Sequence, residues 1–306
     1  MNSSRRELRG VLPVFQTPYH EDETIDLATL EKEIAWLHES GADGIVLAMV
    51  SEILRLSSEE REELAGAACR FGRPHGVVVI SVGAESTKLA ERFAKHAEFS
   101  GADAVMAIPP VSVGIGEGEL AGYYTRLLHA VKIPVIVQDA GGYVGKPMPI
   151  VMQARLLDQF GPERVLYKPE ASPIGPKLTE LREATGGRAR VFEGTGGIAL
   201  VDSFQRGIVG TMPGADLVRS LVPLWRALQA GDRTKADRIH GPLAALISMQ
   251  TSLDAFLSVE KHLLQRQGIF KNTLVRGPTG FRLDAESRRE VDRLFERLMD
   301  AIRQES

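Results

Sequence analysis

Cysteine is almost missing from this chain. Cys69 is the only one in 306 residues, so no intrachain disulfide can form, which suits a reducing compartment. No run approaches the roughly 18 apolar residues that a membrane helix needs. The first residues, Met1-Asn2-Ser3-Ser4-Arg5-Arg6-Glu7, lack the apolar core of a signal peptide. A cytoplasmic protein without a membrane partner is the expectation. Neither sign of charge dominates: 37 Lys and Arg face 40 Asp and Glu, and the formal net charge is −3. The two signs are interspersed, so there is no basic stripe for a nucleic acid. The seven histidines, at 20, 38, 75, 96, 129, 240 and 262, show no close pairing and no H-x-x-x-H. No metal mechanism is expected. A G-x-S-x-G elbow for a serine triad is missing too. Nothing in the pattern calls for a bound cofactor.

What is present is a repeating alternation. Short apolar runs are read as strands at Gly10–Phe15, Gly44–Ala48, Val77–Val82, Ala104–Ile108, Ile133–Val137, Val165–Tyr167, Arg190–Phe192 and Ile208–Met212. Helical spacing fills the intervals. Leu27, Leu30, Ile34 and Leu37 follow Asp26, a capping residue, and Ser57 with Glu60 makes a capping box. Strands alternating with helices give a parallel sheet, and eight units over roughly 210 residues match a closed (β/α)8 barrel, the TIM barrel. A doubly wound sheet fits less well, because no G-x-G-x-x-G follows the first strand. After about residue 217 only helices remain, with Asp232 and Asp284 as caps. The expected organisation is a catalytic barrel over 1–216 and a C-terminal helical appendage over 217–306.

In such a barrel, function sits just beyond the C-terminal ends of the strands. The sixth strand, Val165-Leu166-Tyr167, meets Lys168, and Pro169 follows, which has no N–H for the ladder. Lys168 is therefore placed at a strand end. Apolar neighbours there would disfavour its charged form, lower its pKa and make the amine a nucleophile able to form a Schiff base with a carbonyl. Other polar residues take equivalent places: Thr17 after strand one, Ser51 and Glu52 after strand two, Gln138 and Asp139 ending strand five, Glu170 two beyond the lysine, and Glu193 and Thr195 after strand seven. Lys261 and His262 lie on a predicted helix and read as packing or surface residues.

These residues carry a resemblance. Thr17-Pro18, Ile25-Asp26, Ser51-Glu52 with Leu56-Ser57-Ser58-Glu59-Glu60-Arg61, Gly101-Ala102-Asp103-Ala104 before Pro109-Pro110, Ile133-Pro134-Val135 and the strand-six Lys168 span nearly the whole chain. The chain resembles the dihydrodipicolinate synthase / N-acetylneuraminate lyase family of class I aldolases and dehydratases. The resemblance implies a Schiff base between Lys168 and a 2-oxo acid, and a homo-oligomer, commonly a tetramer.

The departures are as informative. Where the family usually carries hydroxyls for the oxo-acid carboxylate, this chain has Met49 and Val50. The tyrosine that shuttles the proton is Gln138, which cannot ionise near neutral pH. The usual arginine aligns with Tyr143, and the paired tyrosines after strand four are Val111 and Ser112. A dihydrodipicolinate synthase is not expected. Leu-Ala-x-x-Ser-Glu after strand two with Gln-Asp-Ala after strand five is similar to the 2-keto-3-deoxy-pentonate dehydratases, such as the L-2-keto-3-deoxyarabonate enzyme. The implied activity is dehydration of a 2-keto-3-deoxy sugar acid through an imine on Lys168. Gln138 and Glu170 are the further catalytic candidates. Ser51, Val50, Thr17, Tyr143, Glu193, Thr195 and Met212 are the candidates for substrate contact. A pyruvate-dependent aldolase on the same scaffold, or a non-catalytic 2-oxo-acid-binding protein, stays open at this point.

Overall fold

The computed structural model describes residues 6–141 and 147–304. Eight strands occur among them: β1 Gly10–Val11, β2 Gly44–Leu47, β3 Val77–Ser81, β4 Ala104–Ala107, β5 Val135–Asp139, β6 Val165–Pro169, β7 Phe192–Glu193 and β8 Gly210–Thr211. All pairings between them are parallel. β2 to β6 pair in sequence order, and β1-β8-β7 form a second group. Parallel bridges Val14↔Val46 and Tyr167↔Val191 join the two groups into a closed ring. The (β/α)8 barrel is thus formed. β1 is shorter than its apolar run, because Pro13 cannot donate to the ladder, yet Leu12 N and Val14 N still reach Thr211 O (2.9 Å) and Pro213 O (2.7 Å).

β6 runs two residues further than expected, through Lys168 and Pro169. Tyr167 N donates to Arg190 O on the β7 side, and Glu170 N donates to Asp139 O on the β5 side. Alternation turns the Pro169 nitrogen towards β7, where the ring offers no N–H to extend the ladder.

Helices α1 Leu27–Glu39, α2 Ser58–Gly72, α3 Thr87–Ser100, α4 Glu117–Ala130, α5 Ile150–Phe160, α6 Ile174–Ala184 and α7 Leu200–Gln205 follow strands one to seven. The expected caps are in place. Asp26 accepts from Thr29 N at 3.0 Å, and Ser57 and Glu60 form the reciprocal box. α8 Val218–Ala230 packs against β1, completing the outer ring. α9 Arg233–Ile247, α10 Leu253–Arg266 and α11 Ala285–Arg303 follow, with α9 lying against α8 and α11. α10 instead passes next to the turn after β2 and the turn before α8. That route places its buried face at the strand C-termini.

The strand residues divide by the period of two. Ile45, Leu47, Val78, Ile80, Val105, Val135, Val137, Val165 and Tyr167 pack outward under the helices. Leu12, Val46, Val79, Met106, Ile136, Leu166 and Phe192 fill the interior. One inward step further along each chain come Val14, Ala48, Gln138, Lys168 and Gly194. They form the next layer, and that layer is the floor of the pocket.

Candidate active site

Lys168 lies two residues past the interior Leu166, and Gln138 two past the interior Ile136. They are register partners across β5 and β6. Both are buried, at 3% and 1% exposure. Between them stands Glu170. Lys168 Nζ is 2.7 Å from Glu170 Oε1, and Gln138 Nε2 donates to Glu170 Oε2 at 2.7 Å. The three side chains form one line of lysine, carboxylate and amide. The expectation of apolar surroundings for Lys168 is corrected here, since a carboxylate is its direct neighbour. That carboxylate is also the nearest acceptor for the proton an ammonium must shed before it attacks a carbonyl. Gln138 Oε1 is buried and has no partner, so one acceptor is left for a further ligand.

The pocket above this line is walled by Val14, Met49, Val50, Met212, Leu253 and Phe256, with Gly194, Gly196 and Gly214 opening its sides and Glu260 at its edge. Val50 and Met212 therefore sit where substrate contact is expected. Gly194 is present for close approach. A Cβ there would lie 2.8 Å from Glu170 Cγ and 3.0 Å from Lys168 Cε. Nothing in the sequence signalled this fit of Gly194 against the lysine.

Four expected contacts sit elsewhere, each for a stated reason. The Ser51 hydroxyl donates to Phe15 O (2.6 Å) and accepts from Ala48 N (3.1 Å), which pins the turn after β2 to β1 and takes it out of the pocket. The Thr17 hydroxyl donates to Ser51 O at 2.5 Å. Glu193 accepts from Thr195 N (2.6 Å) and Thr211 Oγ1 (2.8 Å), tying β7 to β8. The Thr195 hydroxyl donates to Glu193 and accepts from Ala199 N at 3.0 Å, starting the turn into α7. These hydroxyls and this carboxylate brace the rim. Tyr143 lies outside the described residues.

Two further groups were not anticipated. Lys261, read as a surface or packing residue, is fully buried and ion-paired with Glu52. Its Nζ also donates to Thr17 O (2.8 Å) and Leu274 O (2.7 Å) and lies 4.5 Å from the Tyr19 ring centroid. Burial pushes its pKa below the usual lysine range. Glu52, held in the left-handed region at φ 61°, also accepts from Arg276 N at 3.0 Å. The second group is Glu260 with Glu33 and Asp216, three acids at 1% exposure or less. The signal for both was α10's own register. Positions 260 and 261 fall three and four residues after Leu257 and before Leu264, on the buried stripe.

Comparison with known proteins agrees with this geometry. The model of the dihydrodipicolinate synthetase family matches residues 7–298. An L-2-keto-3-deoxyarabonate dehydratase of Azospirillum brasilense is 26% identical over 285 residues, 90% of each chain. A 4-hydroxy-tetrahydrodipicolinate synthase of Methanosarcina mazei is 28% identical over 243 residues, covering 78% of this chain and 81% of its own. A probable 2-dehydro-3-deoxy-D-pentonate aldolase of Escherichia coli is 25% identical over 268 residues, covering 86% and 89%. The solved dihydrodipicolinate synthase of Rhodopseudomonas palustris superposes with a TM-score of 0.87 at 26% identity, over 95% of this chain and 97% of its own. With a family match over nearly its whole length and a barrel that carries a buried lysine at the end of β6, the chain belongs to the dihydrodipicolinate synthetase family and is a lyase of its class I type.

Proposed function

We propose that the protein dehydrates a 2-keto-3-deoxy sugar acid, of the kind named in its Azospirillum relative, through an imine on Lys168. The observation that carries this reading is the Lys168–Glu170–Gln138 line at the pocket floor. Glu170 accepts the ammonium proton, and the freed amine attacks C2 of the oxo acid. Glu170 returns that proton to the carbinolamine oxygen, which leaves as water and gives the protonated imine, an electron sink that acidifies C3. Glu170 then takes the C3 proton, and the C4 hydroxyl departs as water. Gln138 holds Glu170 in place and offers its unpartnered Oε1 to a substrate hydroxyl. In this reading the barrel supplies the lysine; it runs past the expected boundary at 216, because α8 (Val218–Ala230) is its eighth outer helix, and α10 of the appendage supplies the far wall of the pocket. No helix among the described residues is long and apolar enough to cross a membrane. We place the enzyme in the cytoplasm as a homo-oligomer, a tetramer by family resemblance.

The test is an intact-mass trap. The protein is incubated with pyruvate, and separately with L-2-keto-3-deoxyarabonate and related acids, and reduced with borohydride. The expected result is a stable adduct mapped to Lys168, absent from Lys168→Ala, and loss of one water from the preferred sugar acid. A folded protein that gives no adduct with any of these acids would overturn the reading. Release of pyruvate in place of water would move the reaction to the aldolase named in the E. coli relative, on the same imine.

A further inference from the structure

A second carboxyl group faces the same pocket. Glu260, on α10, lines it together with Lys168 and Gln138 and is 1% exposed. Gln16 Nε2 donates to Glu260 Oε2, and Gln16 N donates to Glu33 Oε1 at 2.9 Å. Asp216 flanks Glu260 across Gly214, where a Cβ would collide with Glu260 Oε1 and lie 2.9 Å from Asp216 Oδ1. Glu33 Oε2, Asp216 Oδ2 and Gln16 Oε1 are buried and have no hydrogen-bond partner. Lys261, the cation that acts on Glu33 and Glu260, already pairs with Glu52, next to Arg55. Three carboxylates cannot all stay charged in this space. Burial, with repulsion from the neighbouring carboxylates, pushes Glu33 and Glu260 well above the carboxylate range, and burial lifts Asp216 to about 7. The cluster favours protonated carboxyls beside a pocket where Gln138 stands at the position that the resemblance gives to a tyrosine.

We propose that Glu260 is the acid of the dehydration: it gives its proton to the C4 hydroxyl oxygen as the C4–O bond breaks. The assignment rests on the dehydratase reading above. Both oxygens of Glu170 already accept hydrogen bonds, so Glu170 enters the reaction as the acceptor of the C3 proton. The C3–H electron pair becomes the enamine, the enamine expels the C4 oxygen, and the Glu260 proton completes the water. One proton has moved from C3 to Glu170 and one from Glu260 to water. Water then hydrolyses the imine, which frees the product and Lys168, and solvent exchange at the two carboxyls resets the site. Two carboxyls held in opposite protonation states by their surroundings divide the acid and base roles.

The experiment is Glu260→Gln with three readouts. First, borohydride trapping of pyruvate on Lys168 tests the imine alone. If the wild type gives no adduct, the dehydratase reading falls before Glu260 is in question. Second, exchange of the pyruvate methyl protons with D2O, followed by NMR, tests removal of the C3 proton, and pyruvate has no C4 hydroxyl to expel. Third, dehydration of L-2-keto-3-deoxyarabonate, or of whichever 2-keto-3-deoxy pentonate the wild type turns over, tests the acid. Glu260→Gln should keep trapping and exchange within about threefold of wild type and lose dehydration by about 100-fold or more. Dehydration within about threefold of wild type, or exchange and dehydration falling together, overturns the assignment. Should Glu260→Gln fail to fold, Asp216→Asn decides. Removing the neighbouring negative charge moves the alkaline limb of the dehydration profile to lower pH, and an unmoved limb overturns the proposal.

Discussion

Gly194→Ala tests how tightly the lysine is held. The new methyl carbon would stand 2.8 Å from Glu170 Cγ and 3.0 Å from both Lys168 Cε and Cγ. Carbon atoms normally meet at about 3.5–4.0 Å. The neighbours must therefore retreat by roughly 0.5–1 Å. They cannot do so freely, because the Lys168 and Glu170 side chains are 4% and 6% exposed and are bonded to each other and to Gln138. Misplacing a reacting group by about 1 Å costs on the order of 100-fold in rate. Overpacking of this kind costs about 1–3 kcal/mol in stability. The assay is the rate of borohydride trapping with saturating pyruvate, run beside urea unfolding. The expected result is trapping slowed by about 100-fold in a protein that still unfolds cooperatively. Gly207→Ala is the control. Gly207 has φ 86° and open space around its Cα, so alanine there brings strain of about 1–2 kcal/mol without touching the pocket. Trapping by Gly194→Ala within about threefold of wild type would refute the claim that this glycine exists to seat the lysine.

The buried charges give two further predictions. Lys261→Met leaves the fully buried Glu52 with only its longer 3.9 Å pair to Arg55, and should cost about 3–5 kcal/mol in denaturant unfolding; a loss below about 1 kcal/mol would mean that Arg55 or water takes over the charge. Asp216 has its pKa raised from 3.8 to about 7, so between those limits the folded state holds more protons than the unfolded one and the group costs stability as pH rises. Asp216→Asn removes that cost. Its stability relative to wild type should rise from pH 5 to pH 7, by at most about 1.4 kcal/mol per pH unit, and a difference that stays constant across this range would refute the buried-acid account.

The barrel was legible because each strand is short, apolar and stopped by glycine, proline or a polar pair, and because Asp26, Ser57, Asp232 and Asp284 announce their helices. Lys168 was legible for the same reason: a charged residue in phase with the inward Leu166 must end up at a mouth or unpaired in a core. Glu170 was legible by position, but its bond to Gln138 depends on the cross-strand register, and no single strand encodes that. Ser51, Thr17, Glu193 and Thr195 were placed at the correct ends of strands, yet their hydroxyls and carboxylate turn to backbone partners. Sequence position fixes the end of a strand, while local hydrogen bonds choose the direction of the side chain. Glu260 and Lys261 lie some way from every strand end in sequence; Lys261 reads as a packing or surface residue and Glu260 draws no reading at all. Only the phase with Leu257 and Leu264 betrays their burial.

The acid cluster also bears on the choice between the two lyase outcomes. In the proposed mechanism both begin from the same imine on Lys168. Aldol cleavage breaks the C3–C4 bond, and for this the C4 hydroxyl must lose its proton, so a base is needed at that oxygen. Dehydration breaks the C4–O bond, and the same oxygen must gain a proton. The protonation state of the group that meets the C4 oxygen therefore selects the reaction. A carboxyl buried against Asp216 and Glu33, with Lys261 engaged by Glu52, is pushed towards its protonated form. A solvated carboxylate or an ionisable hydroxyl at that place would serve cleavage. The exchange of tyrosine for Gln138 fits the same logic. It removes a group able to take a proton and leaves an amide whose Nε2 fixes Glu170 for the C3 step. Replacing the neutral acid by an amide should then stop dehydration without creating an aldolase, because glutamine neither gives nor takes the proton at C4.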